Sequence, residues 1–505
     1  MYRQADPNQM TFEDFYLPFG GRLRSDNRWV LLSKQIPWDQ VEQEYAAVFA
    51  GRDTGREAKS ARLALGALII KERLGTTDRE TVEQIRENPY LQYFLGFAEY
   101  KDEVPFDPSL MTHFRKRFDQ EALAKINESI VGAAQEPSQD EPSESREPPD
   151  APPPAANRGK LIVDATCTPA DIRYPTDLSL LNEAREKTEE MIDVMHHPFI
   201  GERVKPRTYR QKARRDYLAI VKQKRPDAKV IRKALRKQLG YLRRNLQTIE
   251  RMASEGLLAC LDKRLYRLLL VIGELYRPQL WMYQNRSHRI EDRIVSLHQP
   301  HVRPIVRGKA GCPVEFGAKI SVSLVDGFSY VDTLRWDPFN ESGDLIDQIE
   351  AYHRRFGGYP ESVHVDRIYR TRANRRYCRD HGIRLSGPPL GRPKRVTESN
   401  ETEQKEARRQ QRQDELDRIP IEGKFGQGKR RFTLSRIMAK LAETSEAVIL
   451  VSFIVMNLEK LLAQILLCLF VLCRWLRRIV TALAFLLRSS LQRFDPYPSL
   501  AIGSL

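Results

Sequence analysis

Apolar residues recur at helical spacing along residues 57–134. Ala61 to Leu74 is rich in Leu, Ile and Ala, and Thr77 with Glu80 forms a capping box, the pair of reciprocal hydrogen bonds typical of a helix start. Residues 1–134 are therefore predicted to form an N-terminal all-α domain.

The last part of this segment predicts a helix with a basic outer face. A helix starting after Asp107-Pro108 would bury one apolar residue in every four and leave Arg115 and Lys116 exposed. A short basic helix that follows a helical pair suits a helix-turn-helix-like DNA reader, in which Arg115 and Lys116 contact DNA. A plain helical bundle with a solvated face fits the same pattern.

Residues 135–158 interrupt the periodicity. The stretch QEPSQDEPSESREPPDAPPPAA (135–156) holds seven prolines and six acidic residues and has no apolar repeat. Such a composition cannot bury enough apolar surface to fold by itself. We expect a disordered linker that marks a domain boundary.

Short apolar strands alternate with helical segments from residue 159 to residue 460, which predicts an α/β domain with a mixed sheet flanked by helices. A strongly basic helical insertion, about 178–300, interrupts it. The other predicted elements are a strand at 161–164, a hairpin of strands 317–325 and 330–335 turning at Asp326-Gly327, a helix at 344–356, a strand at 363–365 and a helix at 371–381.

The remaining chain divides into a polar part and an apolar part. Residues 386–417 are polar, basic and rich in Pro and Gly, which predicts a mobile loop, and a long helical segment is expected to open near Ile421. Residues 461–505 are predicted to form apolar C-terminal helices. The run from Leu461 to Leu476 is shorter than a membrane span and contains Arg474, so a buried or oligomer-forming helix is favoured over a membrane anchor.

Charge narrows the choice of partner. Lys and Arg total 83 against 67 Asp and Glu, a net charge of +16, and seventeen of the basic residues lie between Arg203 and Arg244, which hold only two acids. Like charges along a helix repel each other, so this density favours contact with backbone phosphates, with Arg214 and Arg215 as candidates. No CxxC pair and no secretory leader are visible, which suggests reduced thiols and a cytoplasmic protein.

Two aspartates follow buried apolar triplets. Asp164 ends LIVD and Asp366 ends VHVD, so each is expected at the end of a rigid strand. Phosphodiester cleavage by two metal ions requires carboxylates that converge from separate elements. Aspartates at strand ends also commonly cap turns or helices, so these two positions alone do not decide the function.

A third acid comes from the segment DRIPIEGKFGQGKRRF (417–432). Arg418, Glu422 and Lys429 would lie within roughly 40° of one another on a helix. One face would thus carry a metal-binding acid between two cations, and Arg430 and Arg431 would extend a surface suited to phosphate. Ordinary helical salt bridges would use the same spacing.

These residues resemble the signature Tyr-x2-Arg-x3-Glu-x6-Lys of bacterial insertion-sequence DDE transposases. Here Arg418, Glu422 and Lys429 match, whereas the tyrosine position holds Glu415. The segments LIVDATCTPADIRYPTD (161–177) and HVDRIYRTRANRRYC (364–378) resemble those around the two aspartates of the family, and residues 60–130 its N-terminal helical domain.

The resemblance implies an RNase H-like catalytic domain that cleaves element ends and joins them to target DNA. Asp164, Asp366 and Glu422 would be the catalytic, metal-binding residues, holding two Mg²⁺ ions for which Mn²⁺ can substitute. Arg418 and Lys429 would be the basic positions. It also implies double-stranded DNA as partner (terminal inverted repeats and target), a homodimer, no small-molecule substrate and no membrane attachment.

Other functions remain open from the sequence. A catalytically degenerate, sequence-specific DNA-binding protein would have the same basic surfaces, and a related nuclease would cleave without strand transfer. A membrane-associated basic protein would use the apolar tail. Asp171 and Asp177, close to Asp164 in the chain, are lower-ranked candidates for supporting the site.

Overall fold

The computed structural model describes residues 16–17, 21–49, 57–135, 157–306, 314–388 and 401–491. The predicted linker falls mostly on residues 136–156, which lie outside the described residues. Asn157 and Arg158 already belong to the folded body, because Asn157 donates to the His381 carbonyl and Tyr352 donates to the Arg158 carbonyl.

Within its described residues, the N-terminal part folds into seven helices, of which α3 to α7 lie in the segment where helical periodicity predicts them. Thr77 caps α4 by accepting a hydrogen bond from the Glu80 amide, which confirms the predicted helix start. The other half of the predicted capping box is not formed, because the Glu80 carboxylate accepts a hydrogen bond from the Gln84 side chain. The helices are α1 (Arg28–Gln35), α2 (Trp38–Ala47), α3 (Ala61–Leu74), α4 (Asp78–Glu87), α5 (Pro89–Phe94), α6 (Leu110–Arg117) and α7 (Gln120–Gln135).

A six-stranded mixed sheet forms the centre of the second part. Its order is β2-β3-β1-β5-β6. β4 pairs with the second half of β3, on the part of that strand that follows its short pairing with β2. β1 is antiparallel to β3 and parallel to β5, which is parallel to β6. The strands are β1 (Lys160–Pro169), β2 (Arg303–Val306), β3 (Val314–Val325), β4 (Phe328–Arg335), β5 (Ser362–His364) and β6 (Arg384–Leu385).

The hairpin between β3 and β4 forms where the sequence predicts it. Asp326 and Gly327 have φ angles of 48° and 77°, the left-handed conformations that a tight two-residue hairpin turn requires. The sheet is thus mixed α/β as predicted, but three details differ. β1 is ten residues long rather than four, so Asp164 lies within the strand and not at its end. β2 is an additional strand that the sequence pattern does not predict, and a helix replaces much of the predicted loop.

The structure confirms that a helical insertion separates β1 from β2. It consists of α8 (Asp177–His196), α9 (Arg210–Val221), α10 (Ala228–Ser254) and α11 (Lys263–Asn285). Its own core joins Leu181, Leu242 and Ile272, all with no exposed surface, and this core is separate from the one beneath the sheet. The insertion is therefore internally packed while its charged surface faces outwards.

The other helices flank the sheet, and they are α12 (Leu345–Phe356), α13 (Arg372–Asp380), α14 (Glu401–Arg431) and α15 (Ala442–Leu491). The prediction of a loop at 386–417 is wrong for residues 401–417, which are the first half of α14; residues 389–400 lie outside the described residues. Glu, Gln, Lys and Arg dominate residues 401–417, and these residues favour helices when no packing opposes them.

The N-terminal helices and the sheet share one hydrophobic core through α15. Glu72 of α3 is buried and accepts hydrogen bonds from the Thr433 hydroxyl at 2.9 Å and the Ser452 hydroxyl at 2.7 Å. Arg73 forms an ion pair with Glu459 of α15. These buried polar contacts would be lost if the helices moved away, so the N-terminal part is an integral layer of the molecule.

The C-terminal prediction needs correction. Residues 461–491 do not start new helices; they continue α15, which begins at Ala442. The helix is buried as far as Leu462 and exposed almost throughout from Ala463 to Thr481, so the apolar run is not buried within this chain. Residues 442–481 are long and apolar enough for one membrane span, but the first half of this helix is core, and it does not by itself indicate a membrane protein.

Candidate active site

The register of two strands brings two of the predicted acids to one level of the sheet. Ile162 of β1 pairs with His364, the last residue of β5, in a parallel arrangement. Two residues further along the chain from each stand Asp164, still within β1, and Asp366, just beyond the end of β5. Residues at the same level of neighbouring parallel strands point to the same face. The strand pairing therefore places both carboxylates on one side of the sheet.

Arg418 connects Asp366 to the third acid. Its guanidinium lies 3.2 Å from the Asp366 carboxylate and 3.2 Å from the Glu422 carboxylate, one turn along α14. Asp366 and Glu422 are more than half exposed, whereas Arg418 is 29% exposed. Two acids predicted from separate segments are thus brought together at one guanidinium, and the predicted placement of Arg418 and Glu422 on one helix face is confirmed.

Asp164 lies in a less solvated place than its two companions. Burial raises the pKa of its carboxyl to about 6, and the nearby carboxylates of Glu341 and Asp366 act in the same direction. The Ala165 amide, which donates to it at 2.8 Å, and the charge of Arg418 oppose the increase. A desolvated carboxylate that has no directly paired cation is a group that a bound metal ion would stabilise.

A network of polar groups, of which Asp414 and His364 are buried, fixes α14 against the edge of the sheet. Asp414 is buried and accepts hydrogen bonds from Arg384 of β6 at 2.8 Å, and Asp417 accepts one from Lys160 of β1 at 2.7 Å. Fully buried His364 lies between them, 3.8 Å from Asp414 and 3.9 Å from Asp417. The network therefore sets the position of Arg418 and Glu422 relative to the strands.

This network could not be expected from the predicted loop at residues 386–417, because it depends on a helix there. On a helix, Asp414, Ile421 and Phe425 share one face, and all three are buried in the structure. The spacing of seven and four residues was visible in the sequence. This spacing indicates a shared buried face only if residues 414–425 are helical, and the predicted loop ended at residue 417.

The predicted DNA-contacting residues divide into two groups. Arg115 is buried and its guanidinium pairs with Asp78 of α4, so the prediction that it lies exposed on a DNA-reading face is wrong. Its place in α6 is turned inwards by the packing against α3 and α15. Lys116 beside it is exposed.

Basic residues at the C-terminal end of α14 remain in position to contact phosphate. Lys429 is half-buried, and Arg430 and Arg431 are exposed. Arg431 pairs with Glu459 at 3.0 Å. Within the insertion, Arg214 and Arg215 are both exposed on α9 and take part in no ion pair among the described residues.

The lower-ranked acids have structural partners. Asp171 accepts a two-pronged hydrogen bond from Arg436, and Asp177 at the start of α8 accepts from Arg293 at 2.6 Å and from Gln279 at 2.9 Å. These carboxylates join separate segments of the chain to each other. They do not take part in the contacts around Arg418.

The acids near Arg418 are of the type that a hard divalent cation prefers. Asp366 and Glu422 contact its guanidinium, and Asp164 is close enough for the charges of Arg418 and Asp366 to act on its pKa. In this structure the positive charge of the Arg418 guanidinium balances the negative charges of Asp366 and Glu422. Accordingly, no group of three or more His, Cys, Asp or Glu side chains is arranged to hold a metal ion within the described part of the chain.

Comparison with known proteins agrees with the site. Residues 363–459 match a family model described as Transposase DDE domain, and residues 18–117 match one described as Transposase domain (DUF772). A Rhizobium meliloti protein named Uncharacterized protein ORF8 in nfe locus is 34% identical over 155 residues, which cover 31% of this chain and 68% of that protein. No solved structure matches.

The chain belongs to the family of insertion-sequence-type DDE transposases. Its function is that of a transposase, and as such it is an enzyme of the nuclease and transposase type. The matched DDE segment contains Asp366, Arg418 and Glu422, whereas Asp164 precedes it.

The raised pKa of Asp164 has a consequence for stability. Because its pKa is about 6 in the folded chain and ordinarily 3.8, the native state holds the proton more tightly. Ionisation of the buried carboxyl therefore lowers stability as the pH rises above about 4, and the loss is complete above pH 6. We expect Asp164→Asn to increase the free energy of unfolding by about 2 kcal/mol at pH 7.5 without metal, and the gain to disappear as the pH falls towards 4.

Urea unfolding of both proteins at several pH values measures this effect. Asp366→Asn is the matched control, because that carboxylate is more than half exposed and its replacement should change stability by at most about 0.5–1 kcal/mol. Equal stability of wild type and Asp164→Asn at pH 7.5 would contradict the raised pKa.

Proposed function

We propose that this transposase cleaves DNA at insertion-sequence ends and joins the freed ends to target DNA, with Asp164, Asp366 and Glu422 as the catalytic, metal-binding residues. The observation that carries the proposal is the convergence of Asp366 and Glu422 on Arg418 beside the desolvated Asp164. The strand order, an antiparallel hairpin beside strands connected by helices, supports an RNase H-like catalytic domain.

Two Mg²⁺ ions, with Mn²⁺ as a substitute, would be held by these three carboxylates. When bound, such ions activate the attacking water or hydroxyl and stabilise the leaving oxygen. The residues of the chain have separate tasks: the three carboxylates would hold the ions from β1, from the segment after β5 and from α14. Arg418 and the basic residues at the C-terminal end of α14, Lys429, Arg430 and Arg431, bind the phosphates near the scissile bond.

Double-stranded DNA, both the terminal inverted repeats and the target, is the proposed partner. Residues 1–134 are proposed to contribute to DNA binding as a fixed layer, with exposed Lys116 and without Arg115. We propose that the insertion grips the backbone of the DNA through α9 and α10. A cytoplasmic protein without a small-molecule substrate follows from these roles, and two DNA ends call for two copies of the chain.

The proposal for the insertion predicts a salt-dependent effect. Arg214→Ala with Arg215→Ala should lower affinity for a random-sequence duplex roughly 10-fold and reduce the slope of log affinity against log salt by about 2, because two phosphate contacts are lost. Fluorescence anisotropy at several salt concentrations measures both quantities.

Lys237→Ala is the matched control for this experiment. Lys237 lies in the same insertion, but its ammonium is already paired with Asp216 at 2.8 Å, so its removal should change the slope by less than about 1. An unchanged slope in the double variant would exclude α9 as a DNA contact.

The whole proposal is tested with a plasmid that carries this gene and its native flanking DNA on both sides. Incubation with the protein and Mg²⁺ should give breaks at the element ends and joined products, and omission of the metal should abolish both. Complexes without breaks would indicate a DNA-binding protein with a degenerate site. Breaks without joined products would indicate a nuclease that lacks strand transfer.

A further inference from the structure

The second half of α15 extends away from the folded body. After Leu462, side chains that belong to the core give way to side chains in solvent, and nine large apolar residues between 466 and 480 are exposed. Water is an unfavourable surrounding for so much contiguous apolar surface, and patches of this kind mark places where another molecule binds. The exposed half of the helix is therefore expected to bind another molecule, because nothing in the described part of the chain covers it.

The spacing along this helix identifies the kind of partner. Starting at the last buried turn, apolar residues and one cysteine alternate at steps of four and three, which is the 3.5-residue repeat of a coiled coil. This row, here called the seam, continues in the sequence to Leu487. Up to residue 480 its members are Leu462, Leu466, Leu469, Cys473, Leu476 and Val480.

The charges of the same segment avoid the seam. Arg474, Arg477 and Arg478 all lie at other positions of the repeat, so one side of the helix is free of charge. The same three cations argue against a lipid bilayer, because a span over residues 465–487 would carry them near its centre, each at a cost of roughly 3 kcal/mol. A second helix would cover the seam and leave the three arginines in water.

We propose that the seam binds the seam of a second copy of this chain, so that two α15 helices form a parallel two-stranded coiled coil. A seam is complementary to itself in a symmetric dimer. Every second position, Leu462, Leu469, Leu476 and then Leu483, is leucine, the arrangement that parallel two-stranded coiled coils prefer at these positions. This inference deepens the proposed function, which needs two copies, and supplies the surface that joins them.

The test compares the mass of variants in solution. Leu469→Asp with Leu476→Asp places two charges per copy in the seam, whereas the control Val471→Asp places one charge on the outer side, at a residue that is 57% exposed. Analytical ultracentrifugation should show dimers for the wild type and the control. The double variant should be monomeric at the same concentration, with a dissociation constant at least 100-fold higher.

Oxidative cross-linking tests the parallel arrangement. Cys473 lies in the seam and Cys468 does not, and both are exposed in the single chain. Mild oxidation should join two copies through Cys473 in the wild type and in Cys468→Ser, but not in Cys473→Ser. Cross-linking that depends on Cys468 alone would overturn the parallel register.

Two results would overturn the dimer itself: a monomeric wild type and a double variant that remains dimeric. A monomeric wild type that floats with anionic phosphatidylglycerol vesicles would show that the exposed helix binds a membrane surface instead. Circular dichroism checks that each variant is folded, which is expected because the substituted residues lie beyond the core. The mass measurement needs neither DNA nor metal, so its failure is distinguishable from failure of the proposed chemistry.

Discussion

Replacing Asp164, Asp366 or Glu422 by alanine should lower Mg²⁺-dependent DNA cleavage at least 1,000-fold in each case, an effect of about 4 kcal/mol or more on the barrier. The reason is that each carboxylate comes from a different element, so no neighbour can take over its position toward the ions. Affinity for DNA should stay within about threefold of the wild type, because removal of an acid does not remove a phosphate contact.

The experiment uses the plasmid with the native flanking DNA and quantifies broken ends by gel electrophoresis. Asp171→Asn is the matched control: this acid follows β1 closely in the chain, but its carboxylate is committed to Arg436. We expect it to retain cleavage within about 10-fold of the wild type. Cleavage above about a tenth of the wild-type rate in any of the three alanine variants would remove that residue from the proposed site.

The sequence predicts the sheet well where side chains alternate or turns have a specific chemistry. The β3–β4 hairpin follows from Asp326-Gly327, because few other residue pairs accept two left-handed conformations. β2 could not be predicted in the same way: its four residues include Pro304, and it exists only because β3 offers an edge beside it. Long-range pairing of this kind has no local pattern.

The site could be predicted in part. The Arg418–Glu422 pair follows from helical spacing alone, because residues four apart are neighbours on a helix. The place of Asp366 relative to Asp164 depends on the parallel register of β1 and β5, whose paired residues are 202 positions apart in the chain, and no local pattern contains that register. Resemblance to a family supplied this information in place of a physical signal.

The inward turn of Arg115 shows a limit of the same kind. Apolar spacing correctly predicts that Phe114 and Phe118 are buried. It cannot predict that α3 and α15 cover a second side of α6, or that Asp78 is there to neutralise a buried guanidinium. A charged residue on a predicted helix is normally solvated, and only the tertiary structure identifies the exception.

Arg418 competes with metal for the same carboxylates. Its guanidinium bridges Asp366 and Glu422, and ions bound there would have to displace it. Ion pairs as exposed as these contribute only about 0.2–1 kcal/mol each, so a divalent ion can displace the arginine and turn it towards a phosphate. We therefore expect Arg418 to hold the acids in place without metal and to bind DNA when metal is present.

Arg418→Ala should accordingly separate metal binding from catalysis. Without DNA, affinity for Mn²⁺ measured by electron paramagnetic resonance should rise roughly 3–10-fold, because the competing cation and its ion pairs are gone. Cleavage should fall by about 10–100-fold, because a charge-assisted contact to phosphate is lost. Arg418→Lys keeps the charge but lacks the two-pronged geometry. Its affinity for Mn²⁺ should therefore be close to the lower value of the wild type, whereas its cleavage rate should recover only in part.

Arg430→Ala is the control on the same helix. This residue is exposed near the end of α14, two turns or more beyond the bridging contact, and its loss should weaken DNA binding without raising Mn²⁺ affinity. Unchanged Mn²⁺ affinity in Arg418→Ala would show that the arginine does not compete with the ions. Lower Mn²⁺ affinity would show instead that Arg418 is needed to bring Asp366 and Glu422 together, and the bridge would then be a precondition of metal binding.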